Sequence, residues 1–376
     1  MLQLDPSLST RCDWTTLLDE TTAMSVKHLL HLSNSLDIHE IRIEGRPLDA
    51  TKQLGKPSIF FGYDDTYVGV EALALQYYQN EGQWLGFHCE GMLLRTFFGL
   101  LMYDCLFFKE VKDVFITPFQ DAPLDLSTEI FYEQRRTFID TRLSFLKYLS
   151  SVELYEEIVY SVHRTYGFTI RGVVWSILQL FRQSEKTDET SFLSLMHSFA
   201  ALCDMDITLL ERKEKPSEDG SSLPSPRLPF DGKLKVDACT TSQVRRDLSY
   251  YESSAFYAHF LGFIGVSIGS AVLSDCLKLL CVNYVYWQSG LPDLFLIRRI
   301  PSSASFSAEK HTTAKREHCL TNLESLFVEV KGPRDHLSEK QRWWLAEIKN
   351  SGGAVEVCRV KEEMLDALKK KKAIRE

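Results

Sequence analysis

Two short runs, residues 290–297 (GLPDLFLI) and 326–333 (LFVEVKGP), constrain this chain more than any other feature. Both are rich in the β-branched and aromatic residues that suit a pleated, half-buried strand. A strand sends alternate side chains to opposite faces, so Glu329 and Lys331 point one way while Val328 and Val330 face the core. Gly332-Pro333 ends the second run abruptly. If the two runs pair, Asp293 comes up beside Glu329 and Lys331. Each acid alone reads as one half of a salt bridge. Together, two carboxylates for a divalent cation and an ammonium beside the water they activate are the minimum equipment for hydrolysing a phosphodiester.

The residues that follow set the fold class. Ser338 and Gln341 have the spacing of a capping box, in which each side chain satisfies an otherwise unpaired amide of the first helical turn. The helix continues through Trp343, Trp344, Leu345 and Ile348, and Gly352-Gly353 ends it. Residues 354–360 (AVEVCRV) then alternate as a further strand. Strand, strand, helix, strand is the order of a small mixed α/β core with an acidic site at the strand ends. Lys340 and Gln341 fall at the helix start, where positive charge and free amides suit a phosphate.

These motifs carry a family resemblance. Gly290-Leu291-Pro292-Asp293, Val328-Glu329-Val330-Lys331-Gly332-Pro333 and Leu337-Ser338-x-Lys340-Gln341-x-x-Trp344-Leu345 resemble the virus-type replication–repair nuclease module. That module is a branch of the restriction-endonuclease-like superfamily. Upstream, residues 70–78 (VEALALQYY), 86–91 (GFHCEG), Leu100-Leu101-x-x-Asp104 and Pro123-Leu124-Asp125-Leu126 extend the likeness to the Fanconi anaemia-associated nuclease family. The resemblance implies metal ligation by Glu90, Asp293, Glu329 and the backbone carbonyl of Val330, with Mg²⁺ or Mn²⁺ as the cation and Lys331 as the catalytic lysine. All-oxygen ligands suit such hard cations. It places Lys340 and Gln341 beside the site, and Arg298-Arg299 are expected near it too, as phosphate and DNA contacts.

Glu90 is not selected by pattern alone, but it makes physical sense once proposed. It precedes residues 92–108, an almost wholly apolar run that reads as a buried helix. A carboxylate at such a helix start is favoured by the helix dipole. The run has Arg95 and Asp104 within it and is short for a membrane span, so a core helix is the expectation.

The chain of 376 residues carries a net charge of −8, which argues against a non-specific DNA coat but not against an acidic metal site beside a local basic groove. Candidate basic patches besides Arg298-Arg299 are Arg135-Arg136 with Arg142, Arg245-Arg246, and residues 369–372. Nine cysteines without a Cys-x-x-Cys read as reduced thiols rather than a disulfide frame or a zinc site. No secretory signal is visible at Met1, so the cell interior is expected; the resemblance specifies the nucleus.

Residues 40–44 and 57–62 read as strands, and 66–80, 86–108, 129–149, 151–183, 191–203 and 255–290 as mainly helical. Residues 1–150 are therefore expected to form a mainly helical domain donating Glu90, and 151–362 the nuclease domain. Polar insertions near 211–250 and 301–322 should project from it, and 363–376 is a basic tail. The expected fold is an α/β, restriction-endonuclease-like mixed sheet packed against a helical domain.

By resemblance the substrate is branched or 5′-flap DNA. It would be cut endonucleolytically and with 5′-to-3′ exonuclease polarity during interstrand cross-link repair, alongside repair-protein partners and away from membranes. Two departures keep other readings open. The positions before Gly290 read Tyr284-Val285-Tyr286-Trp287-Gln288, without the basic residues usual there, and Tyr286 and Trp287 either stack on a base or pack. The N-terminal zinc-finger, DNA-binding and most helical-repeat regions of full-length relatives are also missing, which implies a fragment or a shortened form. The alternatives are a DNA-structure-binding scaffold without turnover and a junction resolvase-type nuclease.

Overall fold

The computed structural model describes residues 37–48, 58–63, 66–180, 189–203, 205, 253–300 and 320–363. The segments 211–250, 301–319 and 364–376, where the insertions and tail were expected, lie outside the described residues, as do Arg245 and Arg246.

The strands are β1 (Glu40–Pro47), β2 (Phe60–Phe61), β3 (Tyr67–Val68), β4 (Leu85–His88), β5 (Leu294–Arg299), β6 (Leu323–Lys331) and β7 (Val355–Glu362). They form one seven-stranded sheet in the order β3-β2-β1-β7-β6-β5-β4. The β1, β7 and β6 strands run parallel, and antiparallel pairs complete both edges. Register between β5 and β6 sets Leu294 opposite Val328 and Phe295 opposite Phe327.

The helices are α1 (Val70–Gly82), α2 (Met92–Leu101), α3 (Tyr103–Leu106), α4 (Ile130–Lys147), α5 (Ser151–Thr165), α6 (Ile177–Leu180), α7 (Glu189–Leu202), α8 (Ser254–Ile268), α9 (Ser270–Val282), α10 (Tyr284–Trp287) and α11 (Glu339–Asn350). Alternation along the strands separates two cores. One sheet face sets Leu294, Leu296, Val328, Val330, Cys358 and Val360 against Phe60 and the Leu73, Ala74 and Tyr78 side of α1. The opposite face sets Phe87, Phe295, Phe327 and Val357 against the helical layer.

At the centre of that layer lies α8, capped by Ser253 and buried nearly all round, as its composition requires. It meets α9 at a 98° bend. Gly269 makes the corner at φ 95°, a backbone region that side-chain-bearing residues rarely adopt. Among the described residues no single helix is long and apolar enough to cross a membrane.

The expected division at residue 150 does not follow this architecture. Strands β1 to β4 lie in the first 150 residues yet complete the same sheet as β5 to β7, and the helices from α2 to α10 form a long excursion between β4 and β5. Residues 86–88, expected at the start of a helix, are strand instead, because Leu85 to His88 pair with Ile297 to Leu294. A ladder partner distant in sequence outweighs local pattern there.

Candidate active site

The site forms where β4, β5 and β6 meet the start of α11. Continuing the β5–β6 register by one residue brings Asp293 opposite Glu329, and Asp293 Oδ2 accepts the backbone N–H of Val330 at 2.8 Å. Glu329 and Lys331 lie on the same face of β6, as alternation predicts. The Lys331 ammonium donates to Glu329 Oε1. Both are buried, at 0% and 7% relative exposure.

Gln341 completes this cluster. The capping box at the start of α11 uses Ser338 Oγ as acceptor for the Gln341 N–H at 3.2 Å, and Gln341 Oε1 as acceptor for the Ser338 N–H at 2.9 Å. The side-chain amide is thereby oriented, and its Nε2 donates to Glu329 Oε1 at 2.5 Å. A local helix-start motif thus supplies a donor to the site.

Electrostatics follow from burial. Desolvation, and then the Asp293 carboxylate beside it, push Glu329 up to about 8, against the pull of Lys331. Burial also raises Asp293, opposed by the Val330 amide and by Lys331. Glu329 Oε2 is buried with no hydrogen-bond partner. Two desolvated carboxylates side by side, one with an orphaned oxygen, are a donor set suited to a hard cation.

Glu90 arrives by its backbone. The amides of Cys89 and Glu90 both donate to the Asp293 carbonyl, at 3.0 and 3.2 Å. The turn needs left-handed backbone at Glu90 (φ 40°) and Gly91 (φ 76°). A Cβ on Gly91 would lie 2.3 Å from the Leu291 side chain, so only glycine lets this turn close onto the Gly-Leu-Pro-Asp loop. The Glu90 carboxylate, 54% exposed, lies 3.3 Å from His88 Nε2. Among the described residues no three His, Cys, Asp or Glu side chains converge as a metal-holding group. The structure therefore brings Asp293 and Glu329 together and places Glu90 next to them, with its side chain turned toward His88.

The other expected contacts divide. Lys340 lies beside the site but is engaged, donating to the Tyr286 carbonyl at 2.9 Å and Ser289 Oγ at 3.1 Å, with its ammonium 4.1 Å from the Tyr286 ring centre. Trp287 is packing, against Trp343 and Trp344, whereas Tyr286 is exposed.

Arg298 and Arg299 are a correction. They stand at the far end of β5 from Asp293, about 16 Å away for Arg298 and about 20 Å for Arg299 at ~3.3 Å per residue. Arg298 is bonded to Glu324 and the Gly82 carbonyl and stacked on Trp84, and Arg299 donates to the Leu202 carbonyl. Adjacency in sequence suggested proximity, but an extended strand carries its end away from the site. Arg135 and Arg142 are likewise structural, paired with Asp125 and Glu157.

Sequence reading passed over His88 and Arg95. His88-x-Glu90 at a strand end was the available signal for the first. Arg95 Nη1 donates to the Gln288 carbonyl at 2.7 Å and fixes the segment before Gly290, which no spacing announced.

Residues 260–362 match the family model of the VRR-NUC domain. That stretch, which holds β5 to β7 and α11, is therefore similar to the VRR-NUC domain, and the mixed α/β sheet agrees with the fold class expected from the sequence. More particularly, the chain is similar to the Fanconi-associated nucleases, as the motifs indicated. It is 32% identical over 326 residues to the Fanconi-associated nuclease 1 homolog of Oryza sativa subsp. japonica, matching 86% of this chain and 23% of that one. The Arabidopsis thaliana homolog is 30% identical over 336 residues, 89% of this chain and 26% of that one. The Danio rerio Fanconi-associated nuclease 1 is 29% identical over 291 residues, 77% and 20%. At 20–26% coverage, this chain spans about a quarter of the length of these relatives. Crystal structures of paFAN1 bound to 5′-flap DNA with a gap align with 87% of this chain and 38% of theirs, at 17% identity and TM-scores of 0.46 and 0.47.

Proposed function

We propose that this protein is a metal-dependent DNA nuclease that hydrolyses phosphodiester bonds in branched or 5′-flap DNA. The observation that carries the reading is the buried convergence of Asp293, Glu329 and Lys331, with Gln341 donating to the same Glu329 oxygen. The relatives' name, Fanconi-associated nuclease, supports the class of reaction.

Asp293 and Glu329 fit a hard cation, Mg²⁺ or Mn²⁺, because the single Lys331 ammonium faces two desolvated carboxylates and Glu329 Oε2 is unpartnered. Glu90 and the Val330 carbonyl are the further proposed ligands. The cation, when bound, supplies Lewis acidity and lowers the pKa of a bound water. Lys331 would stabilise the negative charge that develops on the phosphate, and its burial would strengthen that interaction by excluding water. Gln341 holds the Glu329 carboxylate in one orientation, so little reorganisation is needed at reaction. Water attacks phosphorus, the bond to the 3′ oxygen breaks, and the product keeps a 5′ phosphate.

Lys340 is proposed to contact the DNA end. Its ammonium bridges two partners on the α10 segment and retains a third proton for a phosphate. Flap endonuclease and 5′-to-3′ exonuclease activity, action with repair proteins in cross-link repair, and a nuclear location complete the proposal. The test is cleavage of a 5′-labelled flap duplex titrated with Mn²⁺, Mg²⁺ or chelator. Cation-dependent products with 5′-phosphate ends support the reading. Absence of cleavage under every condition contradicts it.

A further inference from the structure

We infer that His88 is a positioning residue for Glu90, holding that carboxylate at the site through the hydrogen on Nε2. The inference rests on the cation-binding reading above and adds a residue that this reading does not use.

Three observations carry it. First, Glu90 has a fixed backbone and a half-exposed carboxylate. Its N–H and that of Cys89 are both bonded to the Asp293 carbonyl, and its φ of 40° is held by the closed turn, yet its carboxylate is 54% exposed. An exposed glutamate samples many rotamers, and restricting them to one costs entropy unless a partner selects it.

Second, His88 is placed to be that partner. Pairing with Leu294 fixes its backbone on β4, its side chain is only 15% exposed, and Nε2 lies 3.3 Å from Glu90 Oε1.

Third, Nε2 is itself shielded from solvent and makes no hydrogen bond of good geometry. A buried ring nitrogen left this way carries an uncompensated desolvation cost. A small rotation of the Glu90 side chain closes the 3.3 Å gap into a hydrogen bond and removes that cost. A partner that orients a ligating carboxylate in this way is worth roughly 10–100-fold in metal affinity or activity.

The experiment measures Mn²⁺ binding to the DNA-free protein, by the electron paramagnetic resonance signal of unbound Mn²⁺. The proteins are wild type, His88→Leu, His88→Gln, Glu90→Gln and the His88→Leu/Glu90→Gln double variant, with thermal melts as a check on folding. His88→Gln keeps an N–H donor and His88→Leu removes it at similar volume. The expected result is a loss of about tenfold or more in affinity for His88→Leu, near-wild-type affinity for His88→Gln, and no further loss when His88→Leu is added to Glu90→Gln. Unchanged affinity in His88→Leu, equal losses in both His88 variants, or independent losses in the double variant each overturn the inference. A wild-type protein that binds no Mn²⁺ overturns the cation-binding reading, and this inference with it.

Discussion

Asp293 reaches across from the start of β5 to accept the backbone N–H of Val330 at 2.8 Å, which fixes the spacing between the two acids of the site. The bond uses the residue between Glu329 and Lys331, so one carboxylate, one amide and one ammonium are set by two paired strands. Strands hold such geometry more tightly than loops do, which is why the site sits at strand ends.

Lys340 is expected to read the DNA end. Removing a phosphate contact should weaken cutting of 5′-phosphorylated flaps more than of 5′-hydroxyl flaps, and lower the log–log salt slope of binding by about one unit. Lys340→Ala tested on both substrates checks this. Equal losses with an unchanged slope would show that Lys340 serves only to brace Tyr286 and Ser289.

Arg298 should behave oppositely. It holds Glu324, the Gly82 carbonyl and the Trp84 ring, so Arg298→Ala should lower the melting temperature while leaving the salt slope of DNA binding unchanged. A reduced slope in this variant, measured by fluorescence anisotropy, would restore it to the DNA surface.

Glu347 on α11 predicts a pH dependence of stability away from the site. Burial, and then the nearby Asp275 carboxylate, raise it to about 7 from an ordinary 4.5, against Lys147 and Lys278. The folded state therefore holds this proton more tightly than the unfolded chain does. The contribution is complete below about 4.5 and is lost as pH rises through about 7. Denaturant titrations should show wild type losing on the order of 1–2 kcal/mol over that window relative to Glu347→Gln, after allowance for partial exposure. Parallel pH profiles for the two proteins would show that Glu347 titrates normally.

What was legible in the sequence was local. Period-two alternation placed Glu329 with Lys331, and the Ser338–Gln341 spacing gave the capping box that the structure contains. Glu90 could not be found this way, because its place depends on β4 pairing with β5 across the whole helical excursion. The same long-range ladder turned residues 86–88 from expected helix to strand, and the same extended geometry carried Arg298 away from the site. Residues 40–44 and 57–62 carried only short strand signals, and β3 fell within the expected helix 66–80, with nothing to say that β1 joins β7.

The most direct test of the central claim compares single-turnover cleavage of a Mn²⁺-loaded 5′-flap substrate by wild type, Asp293→Asn and Lys331→Ala, with DNA affinity measured in parallel. The account predicts cleavage by wild type, and at least about 100-fold slower cleavage by each variant at near-equal DNA affinity. Wild-type rates in either variant would contradict it.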